Sequence, residues 1–346
     1  VTKLSDFDYQ LPKELIAQFP NKRRDLSRLM VLNRNSGRVE HQQFSDLPHF
    51  LQKGDALVVN NTRVFKARLI GRRETGAEVE VFLVRKLTQR GEKWLALATL
   101  SRRLKEGEHI LFGESLTLTI EKGLGEGQWE ILFANKAARE KIVSQFGHVP
   151  LPHYIDRTDQ PTDIRRYQTV FANKEKTGAV AAPTAGFHFT QTLLKGIEKA
   201  GVEVVELTLH VGPGTFRPIS ADHIEDHTVD PEWAELDAVA ARKLNKVRKA
   251  GGRIFAVGTT STRVLESLEI TDGKIQPFAG MVDLYIKPGH SFRLVDHLIT
   301  NFHLPKSSLL VLVAAFAGRE EILKAYQEAV AQKYRFYSYG DAMLIL

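Results

Sequence analysis

The sequence predicts an α/β protein, a mixed-sheet α/β domain with a small distorted antiparallel β-barrel inserted into it. Three observations lead there. From residue 150 onward, strand-like and helix-like segments alternate, which gives a sheet with helices on its faces. Between Asn60 and Phe133 the apolar period falls to two, with glycines separating short runs, as in a small barrel. Before that stretch, Ala56-Leu57-Val58-Val59 reads as a buried strand that belongs with the later α/β part. The expected division is therefore 1–58 and 150–346 as the α/β domain and 59–149 as the inserted barrel.

Each element has a local reason. Leu11 to Ile16 opens a short helix with Pro12 near its first turn. Leu29 to Leu32 is a strand, followed by a turn over Asn33 to Gly37. In the barrel, Val64 to Ile70, Ala77 to Leu83 and Leu116 to Ile120 are strands. Later, Thr190 caps a helix that carries Leu193, Leu194 and Ile197 on one face and stops at Gly201. Val202 to Val211 is a strand, Leu236 to Ala250 a helix and Ile254 to Val257 a short buried strand. Pro305 starts another helix that runs to Gly318, and Ile322, Leu323, Tyr326 and Val330 mark one more.

The chain has 346 residues, enough for two domains. With no cysteine, disulfides, thiolate metal sites and a thiol nucleophile are excluded, and a reducing cytoplasm is compatible. The longest apolar run, Leu309 to Gly318, is about half of what a spanning helix needs, and the first twenty residues hold no signal-peptide core. A net charge of +7 favours a polyanionic partner. Between Asn60 and Phe112 there are twelve Lys/Arg against six Asp/Glu. The segment from Glu225 to Asp237 is acidic and has no lysine or arginine.

Two loop-like segments combine small residues with a histidine and aromatic rings. They are Gly178 to Phe189, which contains Pro183-Thr184-Ala185-Gly186 and His188, and His210-Val211-Gly212-Pro213-Gly214-Thr215-Phe216. Small residues let a ligand approach the backbone, and a packed core has no need of this mixture. Glu206, Thr208 and His210 share the polar face of their strand, and His210 stands at its end, where α/β sheets bind ligands. Gly258-Thr259-Thr260-Ser261-Thr262-Arg263 is a second strand-end loop, whose N–H groups and Arg263 could hold a carboxylate or phosphate, although capping explains any one hydroxyl. Asn301 and His303 are the polar members of a third turn. Asn60 to Arg68 could grip a phosphate backbone or be a solvated turn. No His-Glu-x-x-His, phosphate-binding glycine loop or Gly-x-Ser-x-Gly is present, and no metal site is expected.

Taken in order, these motifs resemble the S-adenosylmethionine:tRNA ribosyltransferase-isomerase family of queuosine biosynthesis. The resemblance runs the whole length, through Leu15 to Gln18, Ser27-Arg28-Leu29, Asn60 to Val64, Pro150-Leu151-Pro152, Ala182 to Gly186 with His188-Phe189, and His210 to Gly212. It continues through Gly214 to Pro218, Glu225-Asp226-His227, Val257 to Ser261, Thr300 to Pro305, Tyr334-Arg335-Phe336 and Ser338 to Met343. It departs at Phe187, where the family usually has Leu, at Pro213, and at Val229-Asp230, where the family often has Met-His.

The resemblance implies an α/β module with a distorted barrel. The implied substrate is tRNA carrying 7-aminomethyl-7-deazaguanine at the wobble position. The ribosyl part of S-adenosylmethionine moves to the aminomethyl group and is isomerised, giving epoxyqueuosine-tRNA, adenine and methionine. S-adenosylmethionine is then a consumed co-substrate, and no cofactor is implied. A base acting on the acidified carbon beside the sulfonium suits a histidine, with His210, His188 and His227 as candidates, and a base from the tRNA stays open. The sulfonium suits Phe187, Phe189, Phe216, Glu225 or Asp226, and the methionyl carboxylate suits Arg217, Arg263 or the helix start at Thr259 to Thr262. Asn301 and His303 complete the expected ligand set. Arg63, Arg68, Arg102 and Arg103 are expected to meet the tRNA. A cytoplasmic monomer is expected. The alternatives are an S-adenosylmethionine-dependent tRNA methyltransferase and a non-catalytic RNA-binding protein.

Overall fold

The computed structural model describes residues 2–88, 90–99, 104–216 and 219–346, without the side chains of Thr215 and Phe216. Its larger part is a nine-stranded mixed sheet. Four neighbouring strands at its centre run parallel: Glu203–Leu209, Ala56–Asn60, Ile254–Val257 and His297–Asn301. Ala342–Ile345, Arg28–Leu32 and Val39–Gln43 extend one side, and Glu232–Leu236 with Phe278–Val282 extend the other. The parallel strands are mostly apolar because the sheet is covered on both faces by two separate clusters of buried side chains, with the polar residues of Glu203–Leu209, Asn60 and His297–Asn301 as exceptions.

The smaller part is the barrel. Strands Arg68–Arg73, Glu78–Lys86, Lys93–Ala98, Gln128–Phe133, Leu116–Gly125 and His109–Phe112 pair in that order, and the last pairs back onto the first at Arg72 and Arg73. The alternation puts Leu69, Val79, Val81, Leu83, Trp94 and Ile131 inside. Gly71 sits at the closure, where a Cβ would lie 2.6 Å from Ile110, so only glycine lets these strands meet.

Three local expectations shift. The segment Val64 to Ile70 is two strands, because Ala67 N–H donates to Phe65 O at 2.8 Å and the chain turns there. Its first piece, Arg63–Val64, pairs in parallel with Thr177–Ala179 and not with the barrel. Leu236 ends a strand, and the helix begins at Ala238 because the Asp237 carboxylate caps it, accepting Ala240 N–H at 2.7 Å. Ser307, not Pro305, is the cap of Ser308–Ala317 and accepts Leu310 N–H at 3.2 Å. Helix Gln191–Lys199 has the expected Thr190 cap. Among the described residues, no helix is long and apolar enough to cross a membrane.

Candidate functional site

Parallel strands point their carboxyl ends to one edge of the sheet. Here that edge gathers Asn60 to Thr62, His210 to Gly214, Gly258 to Arg263 and Asn301 to His303, four segments far apart in sequence. The helical turn Thr184–His188 closes over them, tethered by Val180 N–H and Ala181 N–H to Val211 O at 3.0 and 3.3 Å.

A cleft of about 490 Å³ opens between these segments. Pro183, Thr184, Ala185, Val211, Thr259, Thr260, Asn301, His303 and Leu309 line it, together with Tyr154, Tyr337 and Ser338. Gly258 has φ +88°, which lets the strand turn directly into helix Gly258–Ser267, so Thr259 to Arg263 is helix and not the expected loop. One buried atom of a cleft-lining residue, Thr260 Oγ1, has no hydrogen-bond partner among the described residues, whereas the Asn301 side chain faces the His188 ring, which it hydrogen-bonds. Buried polar atoms are nearly always paired, so Thr260 Oγ1 marks a place where a ligand would bond.

A second cleft of about 410 Å³ is lined by Gly214, Asp230, Glu232, Arg263, Tyr285 and Leu309. Leu309 lines both clefts. The Arg263 guanidinium expected to meet a methionyl carboxylate is occupied. Nη1 pairs with Glu232 Oε2, and Nε donates to Leu284 O at 3.0 Å. Glu232 Oε1 accepts Gly212 N–H at 2.7 Å, so the pair also fixes the loop after His210.

The third and largest space, about 1560 Å³, separates the sheet from the barrel. His210, Gly212, Pro213 and Trp233 line one wall, and Val84, Arg85, Lys86, Trp94 and Leu97 the other. The His210 ring stacks on Trp233 at 5.1 Å, and its Nδ1 bonds Thr62 Oγ1 at 2.8 Å. A Cβ on Gly178 would lie 2.7 Å from this ring, so glycine there makes room for it. Nε2 makes no hydrogen bond among the described residues. Burial first, then Lys176 and Lys86, lower the His210 pKa from 6.5 to about 4.

The other histidines are placed differently. His188 is buried, with Nδ1 bonded to Ser27 Oγ at 2.7 Å, and burial lowers its pKa to about 3. His303 bonds Thr300 Oγ1 at 2.8 Å, and burial lowers it to about 3 as well. His227 stacks edge-on against Tyr285 at 5.3 Å, beside the second cleft, and burial lowers its pKa too. These rings occupy separate positions and form no cluster. Among the described residues no group of three metal-binding side chains occurs.

Other expected ligand residues serve packing. Phe189 is fully buried against Phe44 and Phe171, and a Cβ on Gly186 would strike Phe171 at 2.5 Å. Ser261 is fully buried and lines none of the three clefts. At the start of the segment from Asn60 to Arg68, the two asparagines are buried and bonded within the protein rather than solvated. Asn60 bonds Leu209 O and N–H, and Asn61 takes a hydrogen bond from Thr208 Oγ1 at 2.7 Å. On the barrel, Arg68 pairs with Glu80 at 2.7 Å. Arg102, Arg103 and Arg217 lie outside the described residues, as do the side chains of Thr215 and Phe216. The sequence reading did not single out Trp233, Tyr154, Tyr337 or Glu232. The alternation Glu232-Trp233-Ala234 could have flagged an outward tryptophan, but nothing local signals the Glu232–Arg263 pair.

This arrangement defines a two-part protein, an α/β part with a cleft at its parallel strand ends and a β-barrel across a wider groove. The model of a family described as queuosine biosynthesis protein matches residues 4–345, and the chain belongs to that family. It is 48% identical to the S-adenosylmethionine:tRNA ribosyltransferase-isomerase of Desulfitobacterium hafniense, over 99% of this chain and 100% of that protein. With the enzyme of the same description from Syntrophotalea carbinolica the identity is 50%, again over 99% and 100%. The solved structure of S-adenosylmethionine tRNA ribosyltransferase from Thermotoga maritima is 36% identical and matches with a TM-score of 0.56, over 99% of this chain and 100% of that one.

Proposed function

We propose that this chain is an S-adenosylmethionine:tRNA ribosyltransferase-isomerase. It transfers and isomerises the ribosyl moiety of S-adenosylmethionine onto 7-aminomethyl-7-deazaguanine at the wobble position of tRNA. Epoxyqueuosine-tRNA, adenine and methionine leave. The observation that carries this reading is the strand-end cleft with the unpartnered Thr260 Oγ1, which shares Val211 with the wide groove lined by His210 and the barrel.

S-adenosylmethionine occupies the strand-end clefts, and the modified nucleotide enters the wider groove. Between them, His210 stays neutral at working pH and can accept a proton from the carbon beside the sulfonium. Its pKa of about 4 makes it a weak base in the free protein. A polyanion arriving beside Lys86 and Lys176 offsets their charge and raises that value. Thr62 holds the ring through Nδ1 and leaves Nε2 for the proton. Residues 59–149 act as the inserted unit that closes the groove. The protein acts as a monomer in the cytoplasm, where its tRNA is.

Incubation with modified tRNA and S-adenosylmethionine tests this. Adenine and methionine should appear in equal amounts as the tRNA gains mass. S-adenosylhomocysteine in their place would show methyl transfer and reject the reading.

A further inference from the structure

A fourth, smaller cavity of about 270 Å³ lies behind Phe187 and His188, lined by Pro20, Asn21, Arg24, Ser27, Arg166 and Tyr339. Ser338 lines both this cavity and the strand-end cleft. Three guanidiniums converge on the cavity region, and neutral acceptors hold all three. Arg24 donates to Gln168 O at 2.8 Å, Phe187 O at 3.1 Å and Arg165 O at 3.2 Å. Arg166 donates to Asn21 O at 2.6 Å and Lys22 O at 3.2 Å. Arg335 donates to Phe19 O and to Asn21 Oδ1.

Carbonyls orient these groups but do not cancel their charge. Among the described residues, none of the three has a carboxylate within salt-bridge distance, and neither do the exposed Lys22 and Arg165. The nearby carboxylates are engaged elsewhere. Asp25 pairs with Arg23, Asp163 holds Arg157 and the Tyr339 hydroxyl, and Asp341 accepts the backbone N–H groups of Arg28 and Arg335. Burial and mutual repulsion lower the Arg24 pKa to about 10, the cost of crowding like charges that no anion offsets. At the rim, Phe19 is half exposed with Arg157 over its ring at 4.4 Å, a surface on which a base can stack.

We propose that this basic pocket and its rim, built from Arg24, Arg166, Arg335, Lys22 and Arg165, hold phosphodiester groups of the RNA backbone beside the reaction cleft. The proposal rests on the reading of tRNA as substrate, and it puts a principal phosphate contact on the α/β part in addition to the barrel. A carboxylate of the small co-substrate shares the same anion chemistry, so the test must separate the two.

Because Arg24 braces three carbonyls, its loss endangers folding. The variant of choice is Lys22→Gln with Arg165→Gln, both exposed. Affinity for an unmodified tRNA transcript is measured from 50 to 300 mM salt on the full chain, and S-adenosylmethionine affinity on the same samples. The expected result is weaker tRNA binding and a log K against log salt slope shallower by about one to two units, at roughly 0.7 to 0.9 per lost phosphate contact. S-adenosylmethionine affinity stays at the parent value. An unchanged slope in the folded double variant overturns the proposal. So does a loss confined to S-adenosylmethionine, which assigns the pocket to the carboxylate, and so does a parent chain that does not bind the transcript. A parent chain that binds the transcript yet releases no adenine when given S-adenosylmethionine and the modified tRNA rejects the proposed activity alone, and the slope still decides the phosphate site.

Discussion

The strand-end edge of the sheet and the surface of the barrel use their polar residues in opposite ways. At the edge, Asn60, Asn61, Thr62, Thr260, Arg263, Asn301 and His303 are buried and mostly bonded to one another or to backbone. On the barrel, Arg68, Lys93 and Arg73 pair with Glu80, Glu121 and Glu108 at partly exposed positions. A buried polar group without a partner costs far more than an exposed one, so such an edge survives only where its groups are satisfied or wait for a ligand. Exposed pairs cost little and contribute little. The difference teaches where to look for chemistry: the edge is built around specific atoms, whereas the barrel offers a charged surface.

The largest expected effect falls on the edge. His210→Ala should slow single-turnover adenine release roughly 100-fold to 10,000-fold, the usual worth of a general base, and change S-adenosylmethionine affinity much less. Release at the parent rate would move the proton-accepting role away from His210 and leave His227, beside the second cleft, as the next to test.

The next effect concerns stability. Glu232→Ala leaves Arg263 buried without its carboxylate, and removing one partner of such a pair costs about 3–5 kcal/mol. Urea unfolding should show a loss of that size. A loss below about 1 kcal/mol would mean that the edge tolerates an unpaired charge as the barrel does, and the contrast would fail.

Acid should act on the edge first. The His188, His210 and His303 pKa values are lowered from 6.5 to about 3, 4 and 3. Between those values and 6.5 the unfolded chain binds more protons than the folded one, so stability rises with pH in that window. The contribution is complete above about pH 6.5 and is lost as pH falls through 4 toward 3. His303→Gln should flatten the dependence of the unfolding midpoint on pH between 6.5 and 4. A curve parallel to the parent's would show that His303 titrates normally.

Much of this was legible beforehand, for identifiable reasons. Three of the four parallel strands and three of the six barrel strands are legible in their apolar patterns, whereas His297–Asn301 reads only as a turn and Lys93–Ala98, His109–Phe112 and Gln128–Phe133 do not stand out. The motif segments could be assigned to one site because strand ends collect there, and the structure brings 183–185, 259–260, 301 and 303 to a single cleft. What stayed hidden depends on contacts across the chain. Nothing near Asn61 reveals that Thr208 donates to it, or that Glu232 takes Arg263 away from the ligand. The loop expected at 259–263 is helix because Gly258 turns the backbone within one residue. Phe189 and Gly186 look like ligand residues in sequence but fill space against Phe44 and Phe171.

The smallest expected effect lies on the barrel. Arg68 and Glu80 are diagonal neighbours on paired strands, with Arg68 opposite Phe82 and Glu80 opposite Ile70, bonded at 2.7 and 2.8 Å, and both remain partly exposed. Glu80 raises the Arg68 pKa, through their hydrogen bond first. Water screens such a pair, so a double-mutant cycle on Arg68→Ala and Glu80→Ala, read by urea unfolding, should give a coupling of about 0.2–1 kcal/mol. The same pairing bears on RNA. Glu80 already compensates Arg68, whereas Arg63 has no carboxylate partner among the described residues. Arg63→Ala should therefore reduce the salt slope of tRNA binding by up to about one unit, and Arg68→Ala by less. If Glu80→Gln strengthens tRNA binding while Arg68→Ala weakens it, the paired arginine does reach a phosphate. If neither substitution moves the slope and the coupling exceeds about 2 kcal/mol, the pair is a buried-type brace of the barrel, and the distinction between the two regions no longer holds at this position.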